Sequence, residues 1–252
     1  MKPPLPLLRW ASASLPKHGN PPAENEDAVA ADAAGSRFAV ADGASESWQS
    51  GEWAAHLAAA FVGRPPGPAD FPAWLSATRL AWQPPVPKEA VAWYAEAKRE
   101  EGSFATLLGV AFECSERSGG WVWKAVAVGD SCLVRVRGGR VVESFPVTAA
   151  DTFDRNPPLV CSSATRPCPN PEWLAGRAEP GDVFVLATDA AAASLLAGTD
   201  AAWRPLLVTP PAVPTWPDRK RLLELLGKLS PALNDDASVV QIAVPTRPES
   251  PP

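Results

Sequence analysis

Residues 25–43 read Asn25-Glu26-Asp27-Ala28-Val29-Ala30-Ala31-Asp32-Ala33-Ala34-Gly35-Ser36-Arg37-Phe38-Ala39-Val40-Ala41-Asp42-Gly43. Two runs, Ala28 to Ala31 and Arg37 to Ala41, have the length of short β-strands, and the spacer between them is rich in residues typical of turns. The stretch therefore predicts a β-hairpin. Its outer ends carry carboxylates, because Glu26 and Asp27 begin the first run and Asp42 ends the second.

Acidic residues also lie at the ends of other predicted strands. Asp130 lies in a glycine turn, Asp189 ends an apolar run, and Asp235-Asp236 begin the last strand. An acidic residue is a poor strand former, and burying it without a partner is costly. If these ends meet at one rim of a sheet sandwich, the converging carboxylates stay ionised only beside cations. Oxygen ligands without His or thiolate favour Mg²⁺ or Mn²⁺, which predicts a site for two such ions.

Each of these acidic residues, taken alone, has a simpler explanation. Asp and Glu beside Gly, Asn or Ser are common at turns, where the side chain accepts backbone hydrogen bonds. For any single one of these residues, a turn or cap role is roughly three times as frequent as a metal-binding role. A second hypothesis is therefore an unrelated α/β protein whose acidic residues are turn and cap groups scattered in space. The two hypotheses differ in whether these side chains come together in the fold.

The rest of the chain alternates between helical and β-type patterns. Apolar spacing predicts a helix from about Ser50 to Val62, a second after Asp70, and a third that Pro87 opens. An antiparallel meander follows, then a loop-like stretch from 145 to about 179. The predicted meander strands are Phe104–Phe112, Trp121–Val128, Cys132–Val136 and Arg140–Ser144. The later elements are the strand Val183–Ala187, the helices Ala190–Ala197 and Asp218–Leu229, and the strand Ala237–Val244.

The overall composition excludes several classes of protein. The 252 residues include 23 Lys plus Arg and 28 Asp plus Glu, a formal net charge of −5, which argues against a nucleic-acid partner. No apolar run approaches the roughly 20 residues of a membrane-spanning helix, and no signal-peptide pattern precedes Arg9, so we expect a cytoplasmic protein without a membrane partner.

The four cysteines are interpreted as reduced thiols, although Cys161 and Cys168 are near enough in sequence to bridge. With only two histidines, a zinc site is not expected, and His56 is interpreted as a packing or surface residue of a helix.

Five short motifs occur in order along the chain: Asn25-Glu26-Asp27-Ala28, Val40-Ala41-Asp42-Gly43, Gly129-Asp130-Ser131, Ala187-Thr188-Asp189 and Asn234-Asp235-Asp236-Ala237-Ser238-Val239. In this order they resemble the motifs of the metal-dependent serine/threonine protein phosphatases of the 2C type, and the resemblance runs from about Pro22 to Val244. It implies an α+β fold, a four-layer αββα sandwich with two central antiparallel sheets. Helices between Ser50 and Glu100 would cover one sheet, and those between Ala190 and Leu229 the other.

The resemblance also implies roles for individual residues. Glu26 would bind the second of two Mn²⁺ or Mg²⁺ ions, Asp42 would bridge both ions, and the carbonyl of Gly43 would complete the coordination of the second. Asp189 and Asp235 would bind the first ion. Asp27 would order a metal-bound water, Asp130 would bind a weaker third ion, and Asp236 is interpreted as a turn residue beside the site.

The implied reaction is hydrolysis of a phosphomonoester by a metal-bridged water, with Asp27 and Asp42 as the catalytic carboxylates and phosphoserine or phosphothreonine proteins as substrates. Pro22 occupies the position where the family usually has an arginine that binds the substrate phosphate. That role would pass to Lys17 or His18. The alternative is a catalytically weak or inactive signalling or binding module that keeps the fold, with or without the metals.

The remaining expectations concern organisation. Residues 1–252 are predicted to form a single domain, with an N-terminal lead over 1–20, a flap or loop region over 146–180 and a frayed tail over 245–252. We expect a monomer. Richness in Ala, Pro, Arg and Trp with a single Met is typical of a high-GC coding sequence, and with the departures above it suggests a divergent bacterial-type signalling phosphatase.

Overall fold

Two five-stranded antiparallel sheets form the centre of the molecule. A computed structural model describes residues 7–32, 34–84, 93–115, 120–153, 156–198, 203 and 219–245. The sheet that contains the predicted hairpin, here the hairpin sheet, has the order β10 (Glu172–Ala178), β6 (Gly120–Val128), β5 (Leu107–Ser115), β3 (Arg37–Asp42), β2 (Asp27–Ala31). The other sheet, here the terminal sheet, has the order β1 (Arg9–Leu15), β12 (Ala237–Ala243), β11 (Val183–Ala187), β7 (Cys132–Arg137), β8 (Arg140–Phe145). A separate small pair joins β4 (Phe104–Ala105) to β9 (Val160–Cys161).

Helices cover the outer faces of both sheets. They are α1 (Ser50–Gly63), α2 (Phe71–Ala81), α3 (Trp93–Glu101), α4 (Asp189–Ala197) and α5 (Arg219–Leu233). Apolar side chains of α1 and α2 pack on the hairpin sheet, and those of α4 and α5 pack on the terminal sheet. A third core, which includes Phe38 and Phe184, fills the space between the two sheets. The predicted four-layer αββα sandwich is therefore confirmed.

Strand alternation decides which side chains enter the central core. In β3, Phe38 and Val40 pack between the sheets, whereas Ala39 and Ala41 face the helices. Because side chains alternate along a strand, Asp42 continues the inner face at the end of β3. The hairpin prediction is also confirmed, since β2 and β3 pair directly.

The predicted meander is only partly right. The strands β5 and β6 pair in the hairpin sheet, whereas β7 and β8 pair in the terminal sheet, so the chain crosses between sheets at Gly129-Asp130-Ser131. Gly129 has a φ of +102°, which side chains rarely adopt, and this permits the sharp corner. The first meander strand is divided as well, because β4 ends before Thr106 and β5 begins after it.

Two segments that we predicted to be irregular contain strands. Residues 172–178, in the predicted flap or loop region, form β10 at the edge of the hairpin sheet, and a 3₁₀ turn and β9 also lie in that region. The predicted N-terminal lead contains β1, which pairs with β12 along its full length. Both segments form edge strands, and an edge strand pairs with only one neighbouring strand. Short strands that mix polar and apolar residues are common at such edges.

Several boundaries differ slightly from those predicted, and some lie outside the described residues. The Asp189–Ala197 helix begins one residue earlier than predicted. Helix α5 continues to Leu233, while Asp218 lies outside the described residues, as do Pro87 and all of the predicted tail after Pro245.

All four cysteines are free thiols, so Cys161 and Cys168 do not bridge. In the described part of the chain, no helix has the length and apolarity needed to cross a bilayer.

A glycine on β5 sets how closely α1 approaches the hairpin sheet. Gly109 is buried, and a Cβ atom there would lie 2.5 Å from the ring of Phe61 on α1. We expect Gly109→Ala to lower the free energy of unfolding by about 1–3 kcal/mol, because overpacking displaces the ring and the helix. Urea denaturation measures the change. The matched control is Gly227→Ala in α5, where a Cβ atom would contact no described atom; it should raise stability by about 0.5–1 kcal/mol. Equal effects of the two substitutions would contradict this account of the α1 contact.

Candidate metal centre

The strand ends at one rim of the sandwich bring carboxylates together. Asp27 at the start of β2 pairs directly with Asp42 at the end of β3, and both side chains lie on the inner face. Asp42 also interacts electrostatically with three acidic residues from other elements: Asp130, Asp189 and Asp235. The hypothesis of scattered turn and cap groups is therefore wrong for these residues.

Asp42 is the residue on which the cluster converges. Burial, followed by repulsion from Asp27 and the other carboxylates, raises the pKa of Asp42 to about 9. Its backbone is fixed by Thr106, whose Oγ1 accepts the Asp42 N–H at 2.9 Å and whose own N–H donates to the Asp42 carbonyl at 2.8 Å. Thr106 is in turn hydrogen-bonded through its hydroxyl to Ser131 at 2.9 Å. The break between β4 and β5 thus places Thr106 where it holds Asp42.

Asp27 has one satisfied and one unsatisfied oxygen. Its Oδ2 accepts a hydrogen bond from Thr188 Oγ1 at 2.8 Å, while its Oδ1 is enclosed and has no hydrogen-bond partner. Burial raises the pKa of Asp27 to about 8, and repulsion from Asp236 and Asp189 adds to this against the opposing hydrogen bonds. Thr188 is itself fixed, since its Oγ1 accepts the Ser238 N–H at 3.0 Å. A buried carboxylate oxygen without a partner is a strong reason to expect a cation or water there.

Asp189 and Asp235 reach the rim from the terminal sheet. Asp189 is the first residue of α4, directly after β11, and burial followed by repulsion from Asp235 raises the pKa of its carboxyl group. Asp235 lies in the turn between α5 and β12 and is exposed. Asp130 is buried in the turn that connects the two sheets. Three different connections between secondary-structure elements, β6–β7, β11–α4 and α5–β12, therefore supply these carboxylates.

Glu26 and Gly43 lie side by side at the start of α1. The Gly43 N–H donates to the Glu26 carbonyl at 3.2 Å, and the hydroxyl of Ser50 donates to Glu26 Oε1. A Cβ atom on Gly43 would lie 2.6 Å from the Ser50 carbonyl carbon, so only glycine fits at this position. The close approach of these two backbone segments fixes Glu26 relative to Asp42.

The residues expected to bind phosphate lie in the connection between β1 and β2. Lys17 is partly buried and His18 is exposed. The backbone N–H of Lys17 donates to Asp236, but in the described structure neither side chain forms a hydrogen bond or ion pair with the carboxylates. Pro22 begins an exposed 3₁₀ turn, Pro22–Glu24. An open groove of about 650 Å³ borders this connection and the start of α1. Glu24, Glu26, Asp27 and Glu52 are the acidic residues of its wall.

The donor set fits hard divalent cations. Among the described residues, no three His, Cys, Asp or Glu side chains surround one point closely enough to hold an ion as they are placed. The carboxylates are nevertheless close enough to raise the pKa of Asp42 through repulsion. A cation between these carboxylates would relieve the repulsion and satisfy Asp27 Oδ1.

Sequence reasoning missed the polar residues that hold the carboxylates. Thr106 lies within an apolar run and gave no signal, whereas Ser131 and Thr188 each lie beside an aspartate in one of the five motifs. Asp236, interpreted as a turn residue, accepts two backbone hydrogen bonds from distant parts of the chain. The interpretation of His56 is confirmed, because its ring packs between Trp53 and Trp82 and its Nε2 donates to the Thr78 carbonyl.

Comparisons with known proteins agree with this architecture. A sequence model described as Protein phosphatase 2C matches residues 17–216. No curated protein sequence matches the chain. The solved catalytic domain of the serine/threonine phosphatase PstP, in complex with two manganese ions, is 21% identical, with a TM-score of 0.60 over 94% of this chain and 98% of that chain. PppA, a regulatory component of T6SS in Pseudomonas aeruginosa, is 20% identical, with a TM-score of 0.60 over 95% and 98%. RsbX, in complex with magnesium, is 16% identical, with a TM-score of 0.52 over 93% and 94%. At these identities the likeness to solved structures shows the fold.

The cluster predicts how stability depends on pH. Unfolded Asp side chains lose their protons near 3.8, whereas the folded protein keeps those of Asp27 and Asp42 up to pKa values of about 8 and 9. Between these values the folded state binds more protons than the unfolded state, so these two groups lower the free energy of unfolding as pH rises from about 4 to 9, by up to about 1.4 kcal/mol per pH unit and carboxyl group.

Thermal unfolding in chelator across this pH range measures the effect. Asp42→Asn removes one charge from the cluster, and we expect it to flatten the pH dependence and to raise the Tm of the chelated protein at pH values near 8. Saturating Mn²⁺ should also flatten the dependence for the unmodified chain. A Tm that rises with pH in chelator would show that these carboxylates do not repel one another in the folded state.

Proposed function

Since the chain belongs to the protein phosphatase 2C family, we propose that it is a phosphatase dependent on Mn²⁺ or Mg²⁺ that hydrolyses phosphoserine and phosphothreonine in proteins. The observation that carries this proposal is the set of four carboxylates that interact with Asp42 at one rim of the sandwich. The metal content of PstP and RsbX supports the choice of cation.

The proposed ligands come from both sheets. They are the carboxylates of Glu26, Asp42, Asp189 and Asp235 with the carbonyl of Gly43, and Asp130 for a weaker third ion. When bound, the divalent ions acidify and orient an attacking water and offset the charge on the phosphoryl oxygens. No protein nucleophile is required, which agrees with the packing role of His56 and the exposed position of His18.

Asp27 is the proposed proton acceptor. Thr188 occupies its Oδ2, and this leaves Oδ1 directed into the site without a partner. A carboxylate oxygen without a partner can accept a hydrogen bond from water. Asp27 Oδ1 would accept a hydrogen bond from the attacking water and orient it towards phosphorus.

The phosphate group needs positive charge that the groove wall does not provide. Its described lining contains Glu24, Glu26, Asp27 and Glu52 and no Lys or Arg. Lys17 and His18 lie on the same connection and are the proposed phosphate-binding residues. A flexible ammonium contacts phosphate as a point charge, whereas an arginine would contact it through two parallel hydrogen bonds.

The second candidate function is a binding or signalling module of the same family with little or no turnover. The exposed Pro22, where the resemblance expects the phosphate-binding arginine, is the observation that favours it. This candidate predicts stabilisation by Mn²⁺ without hydrolysis of phosphopeptides.

Activity measured with Mn²⁺, in chelator and in the Asp42→Asn variant separates the two candidate functions. We expect the purified protein to hydrolyse p-nitrophenyl phosphate and a phosphothreonine peptide with Mn²⁺, and to lose activity in chelator. Asp42→Asn should lower kcat at least about 100-fold, because it removes the carboxylate shared by the whole cluster. The matched control, Asp151→Asn in an exposed 3₁₀ turn, should leave the rate unchanged. Activity that survives chelator or Asp42→Asn would refute the phosphatase proposal, and Mn²⁺ binding without any activity would favour the module.

Substitutions in the connection between β1 and β2 test phosphate binding. We expect Lys17→Ala to raise the KM for p-nitrophenyl phosphate about tenfold, because a hydrogen bond to a charged group contributes about 1.5 kcal/mol. Pro22→Arg should lower KM, since it restores a guanidinium at the position that the resemblance assigns to it. Lys124→Ala, on an exposed part of β6, is the control. An unchanged KM for Lys17→Ala would remove Lys17 from the phosphate site.

A further inference from the structure

Asp236 links the two ends of the connection between β1 and β2. Its Oδ1 accepts the backbone N–H of Lys17 at 2.7 Å, and its Oδ2 accepts that of Glu26 at 2.7 Å. The two bonds span 219 and 210 residues of sequence. We name residues 17–26 the entry loop. The single carboxylate of Asp236 therefore fixes both ends of the entry loop.

The entry loop carries residues of both halves of the proposed site. Lys17 and His18 are the proposed phosphate-binding residues at its start, and Glu26 is a proposed metal ligand at its end. Asp236 is also tied to a third proposed site residue, since its own N–H donates to Asp235 Oδ1 at 2.9 Å. From this geometry we infer that Asp236 is a positioning residue, which holds Glu26 and Lys17 in place relative to Asp235. The inference rests on the proposed metal-dependent function.

The Asp236 carboxylate meets both donors, one with each oxygen. An ionised Asp has two acceptor oxygens and no donor, whereas Asn has one acceptor and an NH₂ group that would face one of the two N–H donors. Each bond is charge-assisted and therefore stronger than a neutral one. The Glu26 backbone is then fixed on both sides, by Asp236 at its N–H and by the Gly43 N–H at its carbonyl.

If Asp236 had a merely structural role, it would stabilise the fold without affecting the affinity for metal ions. Asp32 provides the matched comparison. Asp32 Oδ1 accepts the N–H groups of Ser36 at 2.6 Å and Arg37 at 3.0 Å. This carboxylate also meets two backbone donors, but it lies at the opposite end of the β2–β3 hairpin from Asp42. Asp32→Ala therefore removes two backbone contacts of the same kind far from the candidate metal centre.

The test compares Mn²⁺ binding by the full chain and its variants, measured by isothermal titration calorimetry, with thermal unfolding in chelator alongside. We expect Asp236→Ala to weaken Mn²⁺ binding about 10- to 100-fold, as is typical when the group that orients a metal ligand is lost. Asp236→Glu keeps the charge and displaces the carboxylate, and it should weaken binding to a similar degree. Asp32→Ala should lower the Tm in chelator and leave the Mn²⁺ affinity unchanged.

Each outcome decides between positioning and its alternatives. Normal affinity in Asp236→Glu would mean that the negative charge, and not the position of the carboxylate, matters, and would overturn the inference. Equal weakening by Asp32→Ala would reduce the role to general stability and overturn it as well. If Asp236→Ala does not fold, Asp236→Glu and Asp32→Ala still decide the outcome. Failure of the unmodified chain to bind Mn²⁺ would overturn the proposed function together with the inference, whereas normal binding by both Asp236 variants would overturn the inference alone.

Discussion

The candidate site depends on mutually repelling carboxylates that are held together by strand register. Asp27 and Asp42 are directly opposed on β2 and β3, where like charges destabilise a sheet. A slip of one residue would separate them, but it would also turn Phe38 and Val40 away from the core between the sheets. Burial of these apolar side chains therefore enforces the contact between the two acids. The repulsion is local, whereas the hydrophobic free energy that opposes it is distributed over the hairpin.

The same alternation explains which groups surround the carboxylates. Phe184 and Leu186 of β11 face the central core, so Thr188, two residues further, points to the same side and reaches Asp27. In β12, Val240 and Ile242 also face this core, and continuing the pattern backwards places Ser238 and Asp236 on the inner side. Neutral hydroxyl groups and backbone N–H groups thus hold the acids in place. No Lys or Arg side chain of the described residues forms an ion pair with Asp27 or Asp42, so the negative charge is kept available for a cation.

The fold and the acidic residues were largely predictable because both leave a local signal. Runs such as Arg37–Ala41 and Ser50–Val62 carry a clear period, and a carboxylate next to such a run is visible without any structure. The edge strands β1 and β10 were not predictable in this way, because their pairing depends on partners far along the chain. The same is true of Asp236: its sequence context is that of a turn residue, and its two donors lie more than 200 residues away. Long-range polar contacts of this kind leave no periodicity.

The two halves of the proposed site are constrained to very different degrees. Asp42, Asp27 and Gly43 are fixed by register, by buried hydroxyl groups and by a backbone contact that admits no Cβ atom, so a change at any of them disturbs the packing of the sandwich. Pro22 and His18 are exposed on the entry loop, where substitutions have little effect on stability. Divergence in such a chain is therefore expected first among the groups that contact phosphate. Pro22, where the resemblance places an arginine, would be a change of this kind. We expect it to alter how substrate is bound and to leave the metal-binding half intact, because the free energy that holds the carboxylates together comes from the sheets and not from the loop.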